Sequence, residues 1–147
     1  MTCLKIKILK FYPNNCQNPR QVTPLIPFFY LGDGFSYSDI LQYGFVELID
    51  NAKCDYLYRS HFNDEKNHVT SNMVCAGNLE VGGVGPCQGD AGGPLVVPDG
   101  SSEDSPVLYG LSSWGDSKCA QAKTPEVFTR IMPFVGWIRG YMKGMTI

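Results

Sequence analysis

The stretch from Cys87 to Leu95, Cys-Gln-Gly-Asp-Ala-Gly-Gly-Pro-Leu, holds the residue types best suited to chemistry in this chain. Two glycines follow Ala91, an aspartate directly precedes it, and Cys87 lies four residues before it. Because glycine permits backbone conformations that other residues avoid, the loop is expected to turn sharply and to present its amides outward. Taken alone, such a loop is equally well read as a plain turn, and Ala91 has no side-chain oxygen to act as a nucleophile.

Histidine and cysteine are the other candidate reactive groups. The chain has 2 histidines, His61 and His68, both between Cys54 and Cys75, and residues 1–60 contain none. No Cys-x-x-Cys occurs and neither histidine stands at metal-ligand spacing from a cysteine, so no metal site and no cofactor is predicted. Six cysteines in 147 residues nevertheless favour an oxidising compartment.

Composition excludes several classes of function. With 44% hydrophobic and 18% charged residues the chain is expected to fold, and a net charge of −2 argues against a nucleic-acid partner. No apolar run reaches the roughly 18 residues of a membrane-spanning helix, so no membrane partner is predicted. Lysines interrupt the apolar start, Met1 to Tyr12, so it makes no convincing signal peptide, in conflict with the cysteine content.

The 16 glycines and 10 prolines favour many short strands, hence an all-β class. Residues 1–30 read as an atypical N-terminal segment, and residues 31–147 as the folded domain. Strands are predicted at Ile40–Leu48, Met73–Ala76, Leu95–Val97, Val107–Trp114 and Val127–Ile131, with a possible strand at Leu4–Tyr12.

Two helices are predicted beside these strands. Asp50 is a plausible N-cap for a short helix, Asn51 to Tyr58, and His61 to His68 reads as a polar loop. Pro133 opens an apolar-periodic helix that runs through Trp137 near the end of the chain.

Several motifs, in order, resemble the trypsin-like serine proteases of chymotrypsin fold. The Cys87–Leu95 loop is similar to the nucleophile loop of this family, with Ala91 where the serine should be. The other matching motifs are Ser38–Gln42, Asn72–Gly77, Ser113–Gly115, Cys119–Ala120, Pro125–Arg130 and the closing helix around Trp137. The resemblance covers about Leu31 to Met142. It implies the family's C-terminal Greek-key β-barrel, with the N-terminal barrel missing.

The resemblance also implies how the cysteines pair and where catalysis fails. Cys54 would bond to Cys75, and Cys87 to Cys119, whereas Cys3 and Cys16 either pair together or stay free. The mechanism needs a serine, a histidine and an aspartate, and none is expected in place. His61 and His68 would lie on a surface loop away from the nucleophile, as solvated residues rather than a relocated base.

What the resemblance leaves is apparatus for binding a peptide. The amides of Gly89 and Ala91 would form the oxyanion hole. A peptide would pair with the strand at Ser113, Trp114 and Gly115, beside Gln88.

The implied specificity pocket is unusual. Gly85 stands where the family reads its substrate side chain, and Pro86 stiffens the wall, so the acidic pocket base of trypsin is absent. Glu126 replaces a usual glycine. Glu126 is expected either to plug the pocket or to point outward. The less favoured alternative is that its carboxylate attracts a basic side chain of the ligand.

Asp90 would pair with a cleaved N-terminal ammonium in active members of the family. Without that partner, a buried Asp90 would be a costly unpaired charge. The expectation is therefore that Asp90 turns outward and that the oxyanion hole collapses as in a zymogen.

The predicted function is a catalytically inactive protease homologue, at most a protein- or peptide-binding module, with a separate protease chain as one possible partner. The alternative is a serine endopeptidase whose first barrel lies on another chain or was lost by truncation. A third reading is a truncated product without an independent role. By resemblance and cysteine use, the location would be extracellular.

Overall fold

The computed structural model describes residues 21–26, 42–62, 69–98 and 106–142. Seven strands and two helices lie in these ranges, and a 3₁₀ turn, Met132–Phe134, precedes the second helix. The strands are β1 Gln21–Ile26, β2 Gln42–Tyr43, β3 Val46–Ile49, β4 Met73–Gly77, β5 Pro94–Pro98, β6 Pro106–Trp114 and β7 Glu126–Arg130. The helices are α1 Asn51–Phe62 and α2 Val135–Met142. The predicted strand at Leu4–Tyr12 lies outside the described residues.

The strands form one antiparallel sheet in the order β2-β1-β3-β4-β7-β6-β5. β1 pairs with β5 as well as with β3, so the sheet closes on itself into a barrel. Hairpins join β5, β6 and β7 in succession, and β4 lies beside β7, which is Greek-key order. The all-β Greek-key barrel predicted for this chain is confirmed.

β1 was not anticipated, because Pro24 interrupts its apolar run and lacks a backbone donor. The strand tolerates this proline because its partners change along its length: Gln21 and Val22 pair with β3, Thr23 and Pro24 with β5, and the last two residues with β2. A proline fits a ladder wherever its amide is not needed.

α1 begins where Asp50 caps it. The Asp50 carboxylate accepts hydrogen bonds from the amides of Ala52 and Lys53, at 2.9 and 3.2 Å. Such a cap satisfies amides that have no partner within the helix. The helix runs to Phe62, four residues beyond the predicted end, so His61 lies in its last turn rather than in a polar loop.

The core has two parts, on opposite faces of the sheet. Val46, Val74, Ala76, Leu95 and Phe128 form one buried cluster, and Ile49, Cys54, Tyr58, Cys75 and Val127 form the other. Neighbouring residues along β4 and β7 contribute to different clusters because side chains alternate across a strand. The second cluster includes Cys54 and Tyr58 of α1, so it fastens that helix onto the sheet.

α2 carries an apolar surface that the described part of the fold leaves open. None of its residues is buried; Trp137 and Tyr141 are 65% and 76% exposed, with ring centroids 5.1 Å apart. Within the described ranges, neither helix has the length and apolar run that a bilayer crossing requires.

We expect the 147-residue chain to self-associate and to bind a hydrophobic dye through this α2 surface, because exposed apolar patches drive association. Replacing both Trp137 and Tyr141 with serine should reduce dye fluorescence and light scattering together. Val81→Ser, at an isolated residue that is 78% exposed, should change neither. A monodisperse wild-type chain that leaves the dye dark would refute this expectation.

Candidate functional site

The Cys87–Leu95 loop is held at both ends. The disulfide Cys87–Cys119 ties its start to the segment between β6 and β7. Its far end is fixed to β6, where the Gly92 amide donates to the Ser112 carbonyl at 2.8 Å and the Ser112 amide donates to the Gly93 carbonyl at 2.8 Å. Gly89 has φ 99° and Gly92 φ 84°, a conformation that strains any other residue. The sharp turn expected of this loop is present.

The apex of the loop carries donors and no nucleophile. Ala91 is exposed, and neither its amide nor that of Gly89 donates a hydrogen bond to another described residue. By contrast, the Asp90 amide is satisfied by the Cys87 carbonyl at 3.0 Å. Two free amides suit an oxygen that bears negative charge, but Ala91 has only a methyl group beside them.

Asp90 turns inward, so the expected outward orientation is wrong. It is 2% exposed, and its Oδ2 accepts a hydrogen bond from the Cys87 amide at 2.8 Å. The short loop folds the carboxylate back over Cys87, which supplies the donor that holds it. Oδ1 is buried and has no hydrogen-bond partner among the described residues.

Burial therefore acts directly on the Asp90 charge. It raises the pKa of the Asp90 carboxyl, and the hydrogen bond from Cys87 only partly opposes this rise. A buried carboxylate with one oxygen free is a favourable partner for a cation.

Glu126, the first residue of β7, lies in the space beside Gly85 and Gly115 where the sequence predicts a specificity pocket. This side chain is 5% exposed, and its Oε1 accepts a hydrogen bond from the Ala120 amide at 2.9 Å. A Cβ placed on Gly115 would overlap the Glu126 carboxyl, and one on Gly85 would lie 3.2 Å from its Cγ. The two glycines therefore leave the space that this side chain occupies.

The Glu126 charge is disfavoured in this position. Burial, aided by the negative charge of Asp116, raises the pKa of Glu126 to about 7, although the Ala120 hydrogen bond opposes the rise. The Glu126 carboxyl thus changes charge near neutral pH. It differs in this from an aspartate at the floor of the pocket that stays charged throughout the neutral range.

Tyr58 supports the pocket from α1 and was missed in the sequence. Its hydroxyl donates to the Pro125 carbonyl, next to Glu126, and its ring packs 4.8 Å from Trp114. Burial, followed by the charges of Glu126 and Asp116, raises the pKa of Tyr58, which keeps the hydroxyl protonated. The signal available in the sequence was its position one helical turn after Cys54, on the face of α1 that packs on the sheet.

The remaining predicted site residues differ in their exposure. Pro86 is buried, Gln88 and Ser113 are exposed, and Trp114 is half-buried against Tyr58. The structure thus brings Gly85, Gly115 and Glu126 together with Ala120, which the sequence singled out only as part of a motif.

The histidines were predicted to lie on a surface loop away from Ala91. His61 is the histidine that the structure describes; its Nε2 lies 3.4 Å from Asp116 Oδ2, at the end of α1. His68 lies outside the described residues. The His61 imidazole therefore contacts the carboxylate of Asp116, which follows Trp114 and Gly115 in the chain.

A separate surface depression of about 580 Å³ lies near the start of α1 and includes Arg130. The Arg130 guanidinium donates to the Met73 carbonyl, the Tyr109 hydroxyl and the Asn51 side-chain oxygen, at 3.1, 3.4 and 3.3 Å. These contacts join β7 to β4, β6 and α1, so Arg130 has a structural role there.

Comparison with known proteins places the described barrel among relatives. A protein-family model for trypsin matches residues 30–138. The chain is similar to trypsin zeta of Drosophila melanogaster, 39% identical over 112 residues, which cover 76% of this chain and 36% of that protein. It is also similar to submandibular glandular kallikrein-3 of Rattus norvegicus, 38% identical over 109 residues, covering 74% and 50%. The match to coagulation factor XII of Bos taurus is 41% identical over 107 residues, covering 73% and 16%. The chain spans half or less of the length of these relatives.

Proposed function

Because this chain belongs to the trypsin family, we propose that it is a catalytically inactive member whose remaining role is to bind a protein or peptide. The observation that carries the proposal is Ala91 at the apex of the Cys87–Leu95 loop. Acyl transfer by this family begins with attack of a serine oxygen on the scissile carbonyl, and a methyl group cannot make that attack.

The groups around Ala91 support binding without catalysis. The amides of Gly89 and Ala91 have no acceptor among the described residues, so they can receive a peptide carbonyl oxygen. Ser113 and Trp114 at the end of β6, with Gly115 directly after it, can pair with an extended peptide. Main-chain pairing needs no nucleophile, so these contacts outlast the loss of the serine. We assign Gln88 and Pro86 to the rim and wall of the same site.

A secreted location and a protein partner belong to the same proposal. The two disulfides, Cys54–Cys75 and Cys87–Cys119, support an oxidising, extracellular setting. A net charge of −2 favours a protein or peptide, such as a separate protease chain, over nucleic acid.

One observation favours the second candidate, a serine endopeptidase completed by another polypeptide. Asp90 lies inward, and its Oδ1 has no hydrogen-bond partner among the described residues, so the carboxylate is placed to accept a cation from a partner chain. A partner that supplied an ammonium there, together with a catalytic base, would complete most of the machinery. Such a complex would still lack the nucleophile at Ala91.

We expect the purified chain to hydrolyse none of a panel of fluorogenic peptides with basic, aromatic or small residues before the scissile bond. An enzyme stripped of its triad retains only about 10³–10⁴-fold acceleration over water, too little for a routine assay to register.

We also expect Ala91→Ser to stay unlabelled by a fluorophosphonate probe. His61, the histidine within the described ranges, contacts Asp116, so we do not expect it to serve as the activating base that a serine at this position requires.

Trypsin labelled under the same conditions is the positive control, and matching thermal transitions would show that Ala91→Ser is folded. Hydrolysis by the wild-type chain that survives repurification would overturn the proposal. Strong labelling of Ala91→Ser, lost on heat denaturation, would identify a base within the chain and favour the endopeptidase.

A further inference from the structure

The pocket beside the proposed peptide site already contains a side chain of this chain. Glu126 is 5% exposed, and its carboxyl lies against the backbone of Gly115. The Ala120 amide holds it there by a hydrogen bond of 2.9 Å. Its Cγ approaches the space above Gly85, where an added Cβ would be 3.2 Å away. The side chain is therefore anchored at its tip and packed along its length.

The lack of a side chain at Gly115 leaves room for the Glu126 carboxyl. Its backbone φ lies outside the range that only glycine adopts readily, so alanine would fit the local conformation. The obstacle to a side chain at Gly115 is the Glu126 carboxyl. Gly115 and Glu126 thus depend on each other.

We propose that Glu126 is an internal occupant that closes the pocket, so that the site accepts peptides with glycine or alanine at the position facing Gly115 and excludes larger side chains. This inference rests on the proposed peptide-binding function, because it describes the specificity of that site. The peptide is recognised mainly through its backbone, along β6, and the pocket adds selection against bulk.

Loss of the Glu126 side chain, as opposed to loss of its charge, should open the pocket. The probes are p-aminobenzamidine, which is cationic, and p-aminobenzamide, its neutral counterpart; both are ring-sized. We expect neither to bind the wild-type chain or Glu126→Gln, which keeps the volume and the acceptor for Ala120. We expect Glu126→Gly to bind the neutral probe with a dissociation constant at least about tenfold below the weakest binding that the assay can detect for wild type, since a vacated pocket accepts a small ring.

A double-mutant cycle tests occupancy without a ligand and with a gentler substitution. We expect Gly115→Ala to lower the Tm of the wild-type chain by about 5–10 °C, because it forces a methyl group into the carboxyl. In a Glu126→Ala background, Gly115→Ala should change the Tm little, because the carboxyl is gone. Alanine is used there because it keeps a Cβ and remains available if Glu126→Gly fails to fold.

Probe binding to the wild-type chain would overturn the closure, and binding of the cationic probe alone would show that Glu126 acts as a charged base. Equal effects of Gly115→Ala in both backgrounds would also overturn it, as would a folded Glu126→Gly that binds neither probe. None of these results depends on peptide hydrolysis. Peptidase activity would contradict the proposed inactivity without affecting the proposed closure of the pocket. Probe binding to the wild-type chain would contradict the closure without affecting the proposed inactivity.

Discussion

Replacing both Cys54 and Cys75 with alanine is expected to lower the free energy of unfolding by about 2–5 kcal/mol, the usual cost of losing a native disulfide from a small domain. This bridge, with a sequence separation of 21, joins α1 to β4. Both cysteines are 0% exposed, and they pack in the cluster that includes Tyr58 and Val127. The substitution therefore removes a cross-link and two buried sulfur atoms together.

Chemical denaturation of the wild-type and variant chains measures this loss. Reductant should lower the stability of wild type more than that of the variant, which has one bridge fewer to lose. The matched pair Cys87→Ala and Cys119→Ala removes the other bridge, with a separation of 32, and leaves α1 attached. Non-reducing peptide mapping should recover both pairings; a Cys54→Ala, Cys75→Ala chain as stable as wild type would contradict the role assigned to this bridge.

Glu126→Gln is expected to stabilise the chain at pH 8 by about 3 kcal/mol, while leaving it close to wild type below pH 4.5. The pKa of Glu126 is raised from 4.5 to about 7 by burial. The folded state therefore holds this proton more tightly than the unfolded state does, so the stability of wild type falls as pH rises from 4.5 through 7. Glutamine keeps the acceptor for the Ala120 amide and has no charge to bury.

The test is denaturant unfolding of both chains at pH 4, 6 and 8, with the difference in free energy plotted against pH. Glu80→Gln, at an exposed residue on the surface, is the matched control and should show no such trend. If the gap between Glu126→Gln and wild type were the same at every pH, or absent at pH 8, the Glu126 charge would not be costly in the folded chain.

Local signals in the sequence predicted most of the barrel. Alternating strands, the Asp50 cap and the glycines around Ala91 each act over a few residues. The predicted strands from Met73 onward correspond to β4 to β7, whereas the described residues of the single strand predicted at Ile40–Leu48 are divided between β2 and β3. The family resemblance also predicted two contacts between residues distant in sequence, the disulfides Cys54–Cys75 and Cys87–Cys119, and both are confirmed.

What the sequence did not reveal depends on specific contacts that alternation and propensity do not encode. The direction of Asp90 is set by a donor from Cys87 inside a closed loop. The choice among the readings left open for Glu126 is made by Gly85 on one segment and by Gly115 and Ala120 on another. β1 is a strand because β3 and β5 offer it partners, against the local preference of Pro24. Propensity is a weak prior wherever tertiary pairing supplies the hydrogen bonds.

Barrel closure by β1 has a kinetic consequence. Thr23 pairs with Val96, so the first described strand must find a partner from well beyond α1 and β4. Contacts so distant in sequence cost loop entropy before they contribute any stability, and chains dominated by such contacts fold in milliseconds to seconds. The Cys54–Cys75 bridge shortens this span by closing 21 residues within it, but neither Cys54–Cys75 nor Cys87–Cys119 holds β1 itself, which precedes all four of these cysteines. Until β1 docks, β3 and β5 have unpaired edges, and it is during this interval that a refolding chain is most exposed to aggregation through its strands.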